Sequence, residues 1–209
     1  MAEANPVARG RVRPRDAASL ILLDPDEGAV LMGRRARRHR FLPDLFVFPG
    51  GRVDAADRQV PVIRPYRPEI AEALARTGSG RLAQALGCAA VRETFEETGL
   101  LVGETPHGCA AADLAPLEYV ARAITPPTSP IRFHARFFLT ERASTRGEPR
   151  SNGELIDLDW YPIEEALRLP VADITEFVLG ELRRRLAGEP VLGPLRWSYR
   201  SGKRVIRRG

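Results

Sequence analysis

The run Arg92-Glu93-Thr94-Phe95-Glu96-Glu97-Thr98-Gly99-Leu100 puts three carboxylates within about one and a half helical turns and then stops the helix with a glycine. Each residue of an α-helix advances about 100°, so Glu93, Glu96 and Glu97 fall within an arc of about 100° and share a face. Like charges at these spacings destabilise an isolated helix, so the cluster calls for a cation among them. Oxygen-only ligands select a hard ion, Mg²⁺ or Mn²⁺. The bland alternative is a solvated acidic face. On the other side of the same helix Cys88, Val91 and Phe95 form an apolar stripe expected to face the core. Arg92 precedes Glu96 by one turn and can pair with it, and Gly99 occupies the position where a left-handed residue ends a helix.

Upstream, Phe46-Val47-Phe48-Pro49-Gly50-Gly51-Arg52-Val53-Asp54 is a short apolar run ending in a Pro-Gly-Gly turn. Paired glycines allow positive φ and let backbone approach a phosphate closely, although such a turn alone is an ordinary strand end. Together with Arg-Glu-x-x-Glu-Glu-x-Gly it resembles the Nudix box, the signature of the Nudix hydrolases, and the second half matches from Arg92 to Leu100. Asp57 occupies the acid position after Gly51, but Arg92 comes much later than the family spacing. Residues 58–84 therefore read as an insertion within the box, containing a helix around Pro68 to Arg76 and a Thr77-Gly78-Ser79-Gly80 turn. The roles of Asp54 and Asp57 are left unassigned.

A box divided in this way resembles the subgroup that includes the mammalian peroxisomal enzyme acting on coenzyme A and its acyl esters. Arg122 to Pro127, followed by Arg132 to Leu139, is similar to that subgroup's Thr-Pro and Arg-Phe-Asp-Thr-x-Phe-Phe region, with His134 and Ala135 in place of Asp-Thr. Arg40 matches part of its coenzyme A signature, with Asp44 where a glycine is expected. The resemblance implies hydrolysis of a diphosphate linkage in a nucleotide derivative, assisted by Mg²⁺ or Mn²⁺. It implies Glu93, Glu96 and Glu97 as metal ligands, Arg92 as the residue orienting a glutamate, and Gly50, Gly51 and Arg40 as substrate contacts. Glu93 is one candidate general base; Glu154 is another candidate for base or further ligand. A Nudix-fold module that binds or senses a nucleotide without cleaving it is the competing reading.

Formal net charge is +5, yet Arg196, Arg200, Lys203, Arg204, Arg207 and Arg208 crowd the last fourteen residues without an acid. Basicity therefore belongs to the tail, read as a terminal hairpin closed at Ser201-Gly202, and a nucleic-acid partner is not expected. A second basic set, Arg34, Arg35, Arg37, Arg38 and Arg40, runs towards the glycine turn and reads equally as substrate grip or solvated loop. His39, His107 and His134 lack metal-ligand spacing and read as surface or core residues. Two cysteines, Cys88 and Cys109, imply no disulfide framework and point to a reducing cytoplasmic setting. No apolar run approaches a membrane span.

Residues 17–23 and 29–32 read as a hairpin, 118–123, 132–140 and 157–161 as strands, and 163–168 and 174–186 as helices. Mixed strands with helices on either side imply an α/β/α sandwich, the fold the family resemblance also implies, with a mixed sheet and the insertion within the box. The length of 209 residues suits one domain with its core at about 15–186, free to act alone or as a homodimer.

Overall fold

The computed structural model describes residues 12–39, 41–105, 111–190, 193–200 and 203–208. Its centre is β1, Arg15–Asp24, whose near-continuous apolar run is that of a strand buried on both faces. One side of β1, Ala18, Leu20 and Leu22, packs with the long helix of the box; the other, Ile21 and Leu23, packs with the C-terminal helix. The strand turns antiparallel into β2, Ala29–Arg35, as the hairpin reading predicts. The short β3, Phe46–Val47, and β4, Gly50–Arg52, then bring the glycine turn against β2 and β1.

A 3-10 turn at Ala56–Arg58, β5 at Val62–Arg64 and α1 at Pro68–Ala75 occupy much of the segment read as an insertion. Pro68 opens α1 at a position whose N–H would have no helical partner in any case. Helix α2, Gly80–Thr98, starts at Ser79, whose hydroxyl accepts from the Leu82 N–H at 3.3 Å. Residues 80–84 thus belong to the box helix itself and not to an excursion from it. At the far end Gly99 has φ 74° and its N–H returns to the Phe95 carbonyl, the left-handed stop its sequence position predicts.

Strands β6, Gly103–Glu104, and β7, Ala111–Asp113, join β5 in a small three-stranded sheet that the sequence reading did not anticipate. The main sheet continues with β8, Glu118–Ile124, β9, Phe133–Glu141, and β10, Leu155–Pro162. It ends with α3, Ile163–Ala166, α4, Asp173–Leu186, and the strand pair β11, Leu195–Arg200, and β12, Lys203–Arg208. The strand order is β10-β2-β1-β9-β8-β11-β12, with β1 parallel to β9, β8 parallel to β11 and the other neighbours on this path antiparallel. With α1 and α2 on one face and α3 and α4 on the other, this is the mixed-sheet α/β/α sandwich expected from the sequence.

Two readings need correction. Phe95 is 40% exposed, because the core face of α2 runs through Gly87, Ala90, Val91, Thr94 and Thr98. The two threonines can be buried there because their hydroxyls bond the Ala90 and Thr94 carbonyls one turn back, at 2.8 and 2.6 Å. The helix read at 163–168 closes after four residues, at Ala166. Among the described residues no helix is long and apolar enough to cross a membrane.

Candidate active site

The glycine turn and the acidic side of α2 meet along one wall of a cleft of about 760 Å³. Glu93, Glu97, Gly50, Gly51 and Glu154 all line it. Glu97 is only 3% exposed and accepts a hydrogen bond from the Gly50 N–H at 2.9 Å. Burial pushes its carboxyl up to about 8; the Gly50 bond opposes this and the Glu93 charge adds to it. Glu93 is also raised by burial, with Arg92 pulling the other way. Glu96 is different: its side chain is 53% exposed and it is not part of the cleft wall. The shared arc of the three glutamates therefore divides, two facing the cleft and one at the rim.

Arg92 holds this arrangement together. Its Nε and Nη2 donate to both oxygens of Asp57 at 2.8 and 3.1 Å, and its Nη1 donates to Glu93 at 2.9 Å and Glu96 at 3.1 Å. The Glu96 pair is the one the helical spacing predicts; the Asp57 pair links positions far apart in sequence. Asp57 is fully buried and also accepts from the Asp54 N–H at 2.7 Å, so it anchors the arginine and is not among the cleft residues. The fork geometry of guanidinium and carboxylate fixes the rotamer of Arg92, and through it that of Glu93.

The turn itself requires glycine at Gly50, and at Gly51 a side chain would displace the Glu93 carboxylate. A Cβ on Gly51 would fall on the Glu93 carboxylate, and one on Gly50, where φ is 152°, would fall on the Ala18 carbonyl and Ser19. Gly50→Ala is expected to cost about 2–4 kcal/mol of stability, from backbone strain and overlap combined, read as a lowered urea midpoint. An unchanged midpoint would mean the turn can move away from β1.

The sequence reading missed two residues of the cleft. Arg35, left undecided between grip and solvated loop, and His39, read as surface or core, both line it and lie 3.1 Å apart, Arg35 Nη2 to His39 Nδ1. Arg35 Nε and His39 Nε2 are buried without a hydrogen-bond partner among the described residues. Burial, then the Arg35 charge, lowers the His39 pKa, so the neutral ring accepts from Arg35 at Nδ1 and carries its proton at Nε2. Two unsatisfied donors beside two carboxylates suit an anionic substrate next to a cation. The signal available in sequence was the arginine run itself, which does not say which member turns inward. Arg40 lies outside the described residues, as do His107 and Cys109. Asp44, standing where the resemblance expected glycine, has φ 61° and binds Arg34 and Arg37, so it keeps the glycine-like backbone while adding ion pairs.

Apolar and aromatic side chains form much of the remaining cleft wall, among them Phe41, Phe48, Phe133, Phe137, Trp197 and Tyr199. Among the described residues no three His, Cys, Asp or Glu side chains are grouped as a complete metal cage. Mg²⁺ commonly takes only one or two protein carboxylates and fills its other positions with water and phosphate oxygens, so the donor set of Glu93 and Glu97 fits such an ion. Both carboxyls are raised first of all by burial, so a cation held between them would favour their ionised forms.

This mixed-sheet α/β fold matches that of solved Nudix hydrolases. Residues 81–178 match the NUDIX domain family. Over 87 residues, 42% of this chain, it is 36% identical to nudix hydrolase 7 of Caenorhabditis elegans, and the match spans 22% of that protein. A NUDIX hydrolase from Alicyclobacillus acidocaldarius superposes with a TM-score of 0.66 at 28% identity, over 86% of this chain and 98% of the other. The MutT NUDIX hydrolase from Burkholderia pseudomallei gives 0.51 at 18% identity, over 81% and 98%, a likeness of fold. The chain spans about a fifth of the length of the curated relative it matches, and the domain match and structural neighbours together show a NUDIX domain with the fold of solved Nudix hydrolases.

Proposed function

We propose that this chain hydrolyses a diphosphate linkage in a nucleotide derivative with the help of Mg²⁺ or Mn²⁺, and that coenzyme A or an acyl-CoA is its leading substrate. The observation that carries the reading is the pairing of Glu93 and Glu97 with the Gly50-Gly51 turn on the wall of one cleft. Glu93 and Glu97 hold the ion; Glu96 joins them only by exchanging Arg92 for it. When bound, the metal neutralises charge on the phosphates and acidifies the attacking water. Arg92 positions Glu93 through its Asp57 anchor, and Glu93 takes the proton from water, with Glu154, which lines the same cleft, the alternative base. Arg35 and His39 donate to phosphate oxygens. The aromatic wall supports a substrate with a base and a long, partly apolar arm, since a diphosphate alone would leave most of a cleft of about 760 Å³ empty.

Product analysis of the purified chain with Mg²⁺ against coenzyme A, acetyl-CoA, ADP-ribose, NADH, diadenosine polyphosphates and nucleoside triphosphates tests this. Release of 3′,5′-ADP and a phosphopantetheine is the expected result. Cleavage of another compound keeps the chemistry and removes the coenzyme A assignment, while tight nucleotide binding with no cleavage overturns hydrolysis.

The raised Glu97 carboxyl makes a pH prediction. An acid whose folded pKa lies above its unfolded value near 4.5 stabilises the fold most below that value and loses the contribution as pH rises through about 8. Metal-free protein is therefore expected to lose thermal stability between pH 5 and 8, in the range of about 1–3 kcal/mol after allowance for relaxation. Because the cation needs the ionised form, the shift in Tm produced by Mg²⁺ should grow over the same window and level off above it. A Mg²⁺ shift independent of pH from 6 to 9 would refute ligation by Glu97.

A further inference from the structure

The basic tail forms the antiparallel pair β11 and β12, as its hairpin reading predicts, and β11 extends the main sheet by pairing parallel with β8. The two faces of this hairpin are treated differently. On the α4 side Arg204 binds Asp173 at 3.2 Å and lies over the Trp197 ring, and Arg208 binds Glu181 at 2.7 Å. On the opposite side Arg207 stands directly across from Arg196, Arg196 from Arg122 on β8, and Arg122 from Arg136 on β9. Directly paired residues share a face, so four arginines stand side by side on four adjacent strands, spaced about 4.8 Å apart.

Like charges directly opposite destabilise a sheet. Only the inner end of this row is neutralised: Arg136, 1% exposed, binds Asp16 and the His134 carbonyl. Among the described residues Arg122, Arg196, Arg200 and Arg207 have no acidic partner. These four line a pocket of about 360 Å³ together with Ile124, Ser198 and Val205. Arg122 is half-buried, and burial followed by the charges of Arg196 and Arg136 lowers its pKa, the reverse of an arginine at ease in solvent. Had the tail been a merely solvated basic segment, its two faces would not differ in this way. Instead acids are supplied to one face and withheld from the other.

We propose that this arginine row binds a short phosphate chain, free or carried by a nucleotide, at a second site across the sheet from the cleft. Trp197 and Tyr199, on the same strand, border this pocket as well as the cleft, and both pack with the core on the cleft side, so the two sites adjoin across β11. Three unpaired guanidiniums on neighbouring strands span about 10 Å, the scale of a few linked phosphates, and their forked donors suit phosphate oxygens. An extended polyanion would require basic surface continuing along its path. The hairpin register and charge distribution carry this independently of any chemistry in the cleft.

Isothermal titration of the full chain in EDTA, with inorganic tripolyphosphate, ATP, sulfate and a single-stranded oligonucleotide as titrants, tests the site. Saturable tripolyphosphate binding that weakens at least tenfold in R196Q/R207Q, and less than threefold in R204Q, is expected; the control removes the same charge from the opposite face. ATP binding that depends on the same two arginines assigns the nucleotide-borne form, and tripolyphosphate binding without ATP assigns the free one. R207Q alone, at the exposed end, should weaken binding in the same direction should the double variant fold poorly. Binding unaltered in these variants, the absence of saturable binding to the wild-type chain, or tighter capture of the oligonucleotide than of tripolyphosphate would each overturn the proposal.

Discussion

Glu97→Gln is expected to lower Mg²⁺-dependent turnover by at least about 10²–10³-fold, the kinetic equivalent of the several kcal/mol that a correctly placed cation supplies to a phosphoryl transition state. The change is isosteric, and the amide oxygen can still accept the Gly50 N–H that Glu97 accepts at 2.9 Å. What disappears is the charge. The metal-free variant should therefore have a Tm at neutral pH above that of the metal-free wild type, since glutamine needs no proton to be buried, while losing the increment in Tm that Mg²⁺ gives the wild type. Glu96→Gln provides the contrast: an exposed side chain tied to Arg92 and absent from the cleft wall should cost less than about tenfold. Retained turnover in Glu97→Gln at saturating Mg²⁺, or equal losses in the two variants, would refute the division of roles drawn from the geometry.

Arg92→Ala should be the most destabilising single change near the site. It strips the bidentate partner from Asp57, a carboxylate with no exposed surface, and leaves, among the described residues, only the Asp54 N–H to answer it. Breaking a buried pair from one side costs about 3–5 kcal/mol, which for a chain of this size lowers Tm by about 6–20 °C. The double variant Arg92→Met/Asp57→Asn, which removes both charges, should recover part of that loss while remaining poorly active, because Glu93 has lost its support. Calorimetry and turnover read these two effects separately. A single variant as stable as the double would show that water, and not Arg92, satisfies Asp57.

Much of the fold was legible because its signals are local. The apolar run of β1, the glycine-closed helix ending at Thr98 and the Pro-Gly-Gly turn each follow from propensity and periodicity within a few residues. The small sheet of β5, β6 and β7 was missed because strands of two or three residues carry no periodicity to read. Phe95 was misplaced for a related reason: an apolar spacing identifies a stripe but cannot show that buried threonines, satisfied by their own helix, take the core instead. The arginine run before the glycine turn was visible, yet its division into Arg34 and Arg37 on Asp44 and Arg35 on His39 depends on a loop held by left-handed backbone at Leu42 and Asp44.

The sequence by itself determined that three carboxylates would share one side of a glycine-stopped helix, because helical pitch is fixed by the backbone and needs no partner. Tertiary structure alone decided which two of them face the cleft, that Asp57 would anchor Arg92, that Arg35 and His39 would line the same cleft as Glu97, and that Arg136, Arg122, Arg196 and Arg207 would line up on four strands. Each of these relations joins segments far apart in the chain. Their register is set by how whole strands and helices pack to bury two cores, and no local pattern of side chains encodes that.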